Sequence, residues 1–202
     1  MRSARSLVAA LVMMLTTSIP VRAQDEPFDG WVLLGIGTGS ATISCNECTG
    51  GRNLHGPTLL ASVGWQLTPH VGVGIGLDQW WRDPADSEAT NTGTVLLRYY
   101  PGVRAGAFLE AGVGLSEADV GLSGDTTAAG RRWALMVGIG YDVKLVSVNG
   151  ADVTLTPRVS YVYSPICTLT YAAGRPPFAT GWRHQVLSAG IGLGLTGPRT
   201  RQ

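Results

Sequence analysis

The 202-residue sequence has few charged residues and almost no lysine. Charged side chains make up 14% of the chain, against about 25% in an average soluble protein, and Lys144 is the only lysine. Three of the 15 basic residues and none of the 14 acidic ones lie in the first 23 positions, which leaves 12 against 14 and a formal charge of −2. This balance excludes a polycation built to bind nucleic acid.

Long apolar runs and helical periodicity are also missing. Past residue 20, no apolar run approaches the ~18 residues of a membrane-spanning helix. Apolar residues instead recur at every second position with glycine between them, most clearly in Val71–Leu77, and the chain contains 28 glycines. A period of two is typical of β-strands.

The N-terminus has the layout of a secretory signal peptide. Arg2 and Arg5 precede the apolar segment Leu7–Ile19, and a small residue, Ala23, stands at the expected cleavage point. A membrane anchor is the alternative, but 13 residues are short for a span. We therefore predict a cleaved signal peptide at 1–23, a short lead at 24–29, a β-domain at 30–196 and a polar tail at 197–202.

Eight candidate strands follow one another in the β-domain, each about 8–12 residues long, the length that a tilted strand needs to cross a bilayer. The clearest part of each strand, where the alternation is regular, is residues 32–36, 59–65, 71–77, 94–100, 109–115, 135–141, 153–163 and 187–195. Short connections near 68–70, 102–105 and 144–151 alternate with long ones near 44–56, 83–91, 119–131 and 164–182. This pattern predicts an eight-stranded antiparallel up-and-down transmembrane β-barrel with short periplasmic turns and long extracellular loops.

The parity of the charged residues indicates which face of each strand points inward. Asp78, Glu110 and Asp142 share the glycine face of their strands, and Arg98 and Arg158 lie opposite the aliphatic face. An aliphatic face turned inward, as in a soluble lipocalin-like barrel, would leave bare glycine facing water. We therefore predict an apolar exterior and a polar, glycine-rich lumen.

Aromatic residues agree with this orientation. Six of them share the aliphatic face of their strands and lie at or near strand ends, where membrane barrels have their belts of interfacial aromatic residues. They are Trp65, Trp81, Tyr99, Trp133, Tyr141 and Tyr163.

The segment Arg98-Tyr99-Tyr100-Pro101, a short turn, and then Phe108-Leu-Glu-Ala-Gly112-Val-Gly114-Leu115 resembles the OmpA/OmpX-like small outer-membrane β-barrels. The resemblance covers roughly residues 30–196. It implies a bacterial outer-membrane location and insertion by the barrel assembly machinery. Members of that family usually end on an aromatic residue, whereas here the last strand ends at Leu195.

Lumen-facing polar residues are the candidate functional site. Arg98 and Glu110 lie about equally far from the turn near residue 104, so an antiparallel hairpin makes them cross-strand neighbours. Arg158, Asp142, Asp78 and Gln66 extend this group into a predicted network. Enclosed charges have to be paired, which favours a structural plug. A gate or narrow ion path that switches partners is the alternative, although eight strands leave room only for side chains.

Three cysteines and His55 lie in predicted loops. Export through an oxidising compartment favours a disulfide. Cys167 could pair with Cys45 or Cys48 across the barrel seam, or Cys45 could pair locally with Cys48. The cysteines could also form a zinc site with His55 or remain as unpaired thiols.

The sequence offers little support for catalysis. His184 and Ser188 share the lumen face, away from lipid, so we predict no catalytic residues, no cofactor and no metal. The resulting hypothesis is a monomeric scaffold in outer-membrane lipid that displays four loops, with a possible surface partner at 164–182. The alternatives are a narrow channel for ions or small solutes and a lipid-modifying enzyme.

Overall fold

The computed structural model describes residues 29–46, 52–82, 88–102, 105–122, 126–171 and 179–197. The predicted signal peptide, the lead up to residue 28 and residues 198–202 of the tail lie outside this part of the chain. The described strands are β1 (Gly30–Ser44), β2 (Arg52–Gln66), β3 (Val71–Trp81), β4 (Glu88–Tyr99), β5 (Ala107–Leu122), β6 (Thr126–Tyr141), β7 (Val143–Val148), β8 (Ala151–Tyr171) and β9 (Ala179–Thr196). Among these residues, no helix is long and apolar enough to span a membrane.

The strands form one closed antiparallel barrel. Each of β1 to β5 pairs with the strand that follows it in sequence, and β1 also pairs with β9. β9 pairs with β8, which pairs with β6 to complete the circle. Strand β7 follows β6 after the single residue Asp142 and pairs with the same neighbour, β8. β6 and β7 are therefore two segments of one barrel strand, and the predicted eight-stranded barrel is confirmed.

The strand register gives the stagger of the barrel. Partner residues, followed once around the circle, are Gly30, Trp65, Val73, Leu97, Ala111, Val137, Tyr161, Leu187 and Ser40. The path leaves β1 at Gly30 and returns to it at Ser40, ten residues further along the strand. Such a shift requires the strands to tilt against the barrel axis, by about 35–45° in barrels of this kind.

The connections that were predicted to be long are shorter in the structure. β5 continues to Leu122, which pairs with Thr126 at the start of β6, and β8 continues to Tyr171 before β9 begins at Ala179. Here the backbone ladder extends past the apolar alternation, because ladder hydrogen bonds join backbone N–H and C=O groups and do not need an alternating side-chain pattern. Alternation therefore revealed only the apolar part of each strand.

The predicted short turn at 144–151 is also corrected. Residues 143–148 form β7, and the turn itself is Asn149-Gly150, with φ angles of 49° and 81°. Two residues with positive φ form the tight turn that matches strand twist, and Asn-Gly is the preferred pair for it. This Asn-Gly pair was the available sequence signal.

The outward face of the strands is apolar and the inward face carries glycine and polar groups. Ile36, Ile75 and Val95 are each more than half exposed, whereas Arg98 and Glu110 are 1% and 3% exposed. This is the orientation that the parity of the charges predicted.

Gly140 allows an aromatic ring to approach the barrel wall. A Cβ atom at this position would overlap the ring of Phe108 on the neighbouring strand. We expect Gly140→Ala to lower the free energy of unfolding by about 1–3 kcal/mol, as overpacking does, in urea titrations of the refolded protein. Gly93→Ala is the matched control, since nothing lies within 4 Å of its Cβ position; an equal loss in both variants would contradict this explanation.

Candidate functional site in the barrel interior

Glu110 is the centre of the predicted polar network. Arg98 lies directly opposite it across the β4–β5 hairpin, and its Nε donates to Glu110 Oε1 at 2.8 Å while Nη2 donates to the same oxygen. Arg158 on β8 donates from Nε to Oε2 at 2.7 Å. One buried carboxylate therefore holds two buried guanidinium groups.

Arg158 extends the network across the lumen to β3. Its Nη1 donates to Asp78 Oδ1 at 3.2 Å, and Ser160 Oγ donates to the same oxygen at 3.4 Å. Ser160 in turn shares a 2.8 Å hydrogen bond with Ser188 on β9. Together with Glu110 and Arg98, these contacts connect five strands, β3, β4, β5, β8 and β9.

Asp142 joins the network through an intermediary. The Tyr100 hydroxyl donates to Asp142 Oδ2 at 3.2 Å and accepts from Arg98 Nη1 at 3.3 Å, while Thr156 Oγ1 donates to Asp142 Oδ1 at 2.8 Å. Sequence reasoning did not include Tyr100, although its spacing of two from Arg98 places it on the same face.

Two aromatic rings enclose the Arg98 guanidinium, which lies 4.4 Å from the ring centre of Trp31 and 4.1 Å from that of Phe108. Cation–π contacts of this kind strengthen when water is excluded. Gln66, in contrast, is not brought into the network: its Oε1 is buried with no hydrogen-bond partner in the described part of the chain. It lies at the last position of β2, beside the turn.

The interior is not uniformly polar, which corrects the prediction. An apolar layer fills the half of the barrel away from the Arg98–Glu110 pair, near the last residues of β1 and β3 and the first residues of β6. Its buried members are Ala41, Ile43, Leu54, Trp80, Leu96, Ala118, Ala128, Ala134, Met136, Val162, Ile166, Trp182 and Val186. The barrel interior therefore has two filled levels, one occupied by charged and polar side chains and the other by apolar side chains.

His184 and Ser188 do not form a catalytic pair in this structure. Thr90 Oγ1 lies 3.1 Å from His184 Nε2, and the Trp80 ring lies 5.6 Å from the imidazole. Ser188 bonds to Ser160 instead. Both residues are buried inside the barrel, at 1% and 3% exposure.

The six predicted interfacial aromatics all lie on outward-facing positions. Trp65, Tyr99 and Tyr141 are the last or next-to-last residues of β2, β4 and β6. Trp81 ends β3 at the opposite rim. Trp133 and Tyr163, whose rings lie 6.1 Å apart, lie within β6 and β8, where the outward aliphatic residues of those strands end. The rings therefore form two groups, one at each end of the apolar surface.

Cys45 is disulfide-bonded, while Cys48 and the side chain of Cys167 lie outside what the structure describes. Ser44 pairs with Arg183 and Cys167 with Trp182, so β9 runs between Cys45 and Cys167. Two strand spacings are about 9.6 Å, beyond the usual Cα separation of about 4.4–6.8 Å in disulfides. His55 is exposed in β2, which separates it from the inward-facing Cys45.

We therefore expect the local Cys45–Cys48 pair rather than the link across the seam. Alkylation of the unfolded, unreduced protein followed by peptide mass spectrometry should find Cys167 modified and the other two cysteines protected. A peptide that joins Cys167 to either loop cysteine would contradict the register argument.

No protein-family model and no curated protein sequence matches the chain. Solved structures do resemble it. Ail, the attachment invasion locus protein of Yersinia pestis, in complex with the heparin analogue sucrose octasulfate, is 12% identical over 82% of this chain and 99% of that chain, with a TM-score of 0.52. The chain has the fold of the small outer-membrane β-barrels. Neisserial surface protein A aligns at 17% identity over 80% of this chain and 96% of its own, with a TM-score of 0.47.

Proposed function

We propose that the protein is exported to a bacterial outer membrane and acts there as a monomeric, non-conducting scaffold that presents its inter-strand connections at the cell surface. Two groups of aromatic side chains border an apolar exterior, as in barrels that span lipid. The single observation that supports a scaffold over a channel is that side chains fill the lumen at two levels. The ion network occupies one level and the apolar layer occupies the other.

A narrow channel is the weaker candidate, because both layers would have to open for an ion to pass. Planar-bilayer recordings of the refolded protein test this directly. We expect no current above the lipid baseline. Regular unitary steps at neutral pH would favour the channel instead.

Lys144 offers a test of membrane location and orientation. It is the only lysine, its side chain is 57% exposed in an ion pair with Asp152, and it lies at the turn end of the barrel that we assign to the periplasm. An amine-reactive, membrane-impermeant reagent should modify Lys144 only after the outer membrane is permeabilised.

Arg131→Lys is the matched control, because Arg131 is exposed near the opposite end of β6. Its new amine should react in intact cells. Labelling of Lys144 in intact cells would reverse the proposed orientation, and recovery of the protein in the soluble periplasm would contradict the membrane location.

A further inference from the structure

A small cavity lies between the polar network and the apolar layer. Its volume is about 10 Å³, close to the space that one water molecule needs. Its polar lining includes Thr58, Asp78 and Thr92, and its apolar lining includes Leu60, Trp80 and Val162. The cavity is thus polar on the side of Asp78 and the threonines and apolar on the other.

Two residues of the cavity lining, Asp78 and Thr58, each have a buried polar atom that finds no partner in the described part of the chain. Neither Asp78 Oδ2 nor Thr58 Oγ1 has a hydrogen bond to any residue that the structure describes, although the two residues are 8% and 2% exposed. An unpaired buried polar group loses its hydration without compensation. Both atoms therefore require a ligand that can accept from a hydroxyl and donate to a carboxylate.

The hydroxyl of Thr92, another residue of the cavity lining, can bind the same ligand. Thr92 Oγ1 donates its hydrogen to Ser116 Oγ at 2.9 Å, which leaves its lone pairs free to accept a hydrogen bond. With Asp78 and Thr58, this gives three polar partners around the cavity. Buried water molecules in proteins make about three hydrogen bonds.

The charges favour a neutral ligand. The ion pairs join two guanidinium groups, Arg98 and Arg158, to two carboxylates, Glu110 and Asp78. The third carboxylate of the network, Asp142, accepts hydrogen bonds from Tyr100 and Thr156 and does not line the cavity. Arg158 Nη1 lies 3.2 Å from Asp78 Oδ1 and would repel a cation, while the carboxylate would repel an anion.

We propose that this cavity binds one water molecule, which accepts a hydrogen bond from Thr58 Oγ1 and donates hydrogen bonds to Asp78 Oδ2 and Thr92 Oγ1. The water extends the network from Asp78 to β2. It forms the junction between the charged level of the interior and the apolar level above it.

Three threonine variants test the proposal. Thr58→Val removes a partner of the water, and we expect it to lower the folding equilibrium constant about fivefold to tenfold. Thr58→Ser keeps the hydroxyl and should restore most of that loss. Thr94→Val is the matched control: Thr94 Oγ1 is also buried without a partner in the described residues but does not line the cavity, so its removal should be neutral or stabilising.

If the cavity is dry, Thr58→Val should behave like Thr94→Val, and the proposal is overturned. Magnetisation transfer from water to the Thr58 methyl group in detergent-solubilised protein gives a second readout, which we expect to be positive in the natural protein. Stabilisation by sodium chloride but not by choline chloride, lost in Asp78→Asn, would replace the water with a cation and also overturn it.

Discussion

Replacing Glu110 by alanine is expected to lower the free energy of unfolding by about 3–5 kcal/mol, the range measured when one partner of a buried ion pair is removed. The effect should fall at the upper end of that range. Glu110 accepts from both Arg98 and Arg158, so its loss leaves two buried guanidinium groups without their shared partner.

A double-mutant cycle separates pairing from packing. If Arg98 and Glu110 act as a unit, the double replacement by alanine should cost clearly less than the sum of the single ones. Glu117→Ala, an exposed carboxylate on the same strand, is the control and should change stability by less than about 0.5 kcal/mol. Urea titration in detergent micelles measures the free energy of unfolding of all four variants. Strictly additive losses would contradict an energetic coupling between Arg98 and Glu110.

The sequence predicted most of the fold because a barrel with an apolar exterior imposes a strict alternation on its strands. Each aliphatic residue of Val71–Leu77 faces outward and each intervening glycine faces a crowded interior, so strand number and inward face can be read directly. The strand extensions near Leu122 and Tyr171 are outside that constraint. Pairing there depends on backbone hydrogen bonds, which leave no periodic signal.

The part of the polar network that lies within one hairpin could be predicted from the sequence. Arg98 and Glu110 flank one turn, and their pairing follows from counting residues. The contact between Arg158 and Asp78 crosses the lumen between strands 80 positions apart, and it depends on the stagger of the barrel. The apolar layer was missed for a different reason: Trp80 and Met136 share the face of the charged residues, and parity alone cannot separate an apolar level from a polar one on that face.

Trp80 is one of the two tryptophans of the apolar layer, with Trp182, and it provides the second test. Its ring is 2% exposed, its Nε1 donates to the Gly39 carbonyl at 3.3 Å, and it lines the cavity beside Asp78. Trp80→Ala should cost about 3–5 kcal/mol, as truncation of a buried aromatic does. Trp81→Ala, one residue later on the outward-facing side of the strand, should cost less than half as much.

Conductance then shows whether the two levels close the lumen independently. Trp80→Ala leaves the ion network in place, and Glu110→Ala leaves the apolar layer in place, so each single variant is expected to stay at the baseline current in a planar bilayer. Single-channel steps in Glu110→Ala alone would mean that the ion network is the only barrier, because the apolar layer above it would then not stop ions. Steps in Trp80→Ala alone would assign the barrier to the apolar layer, since the paired charges below it would then be passable.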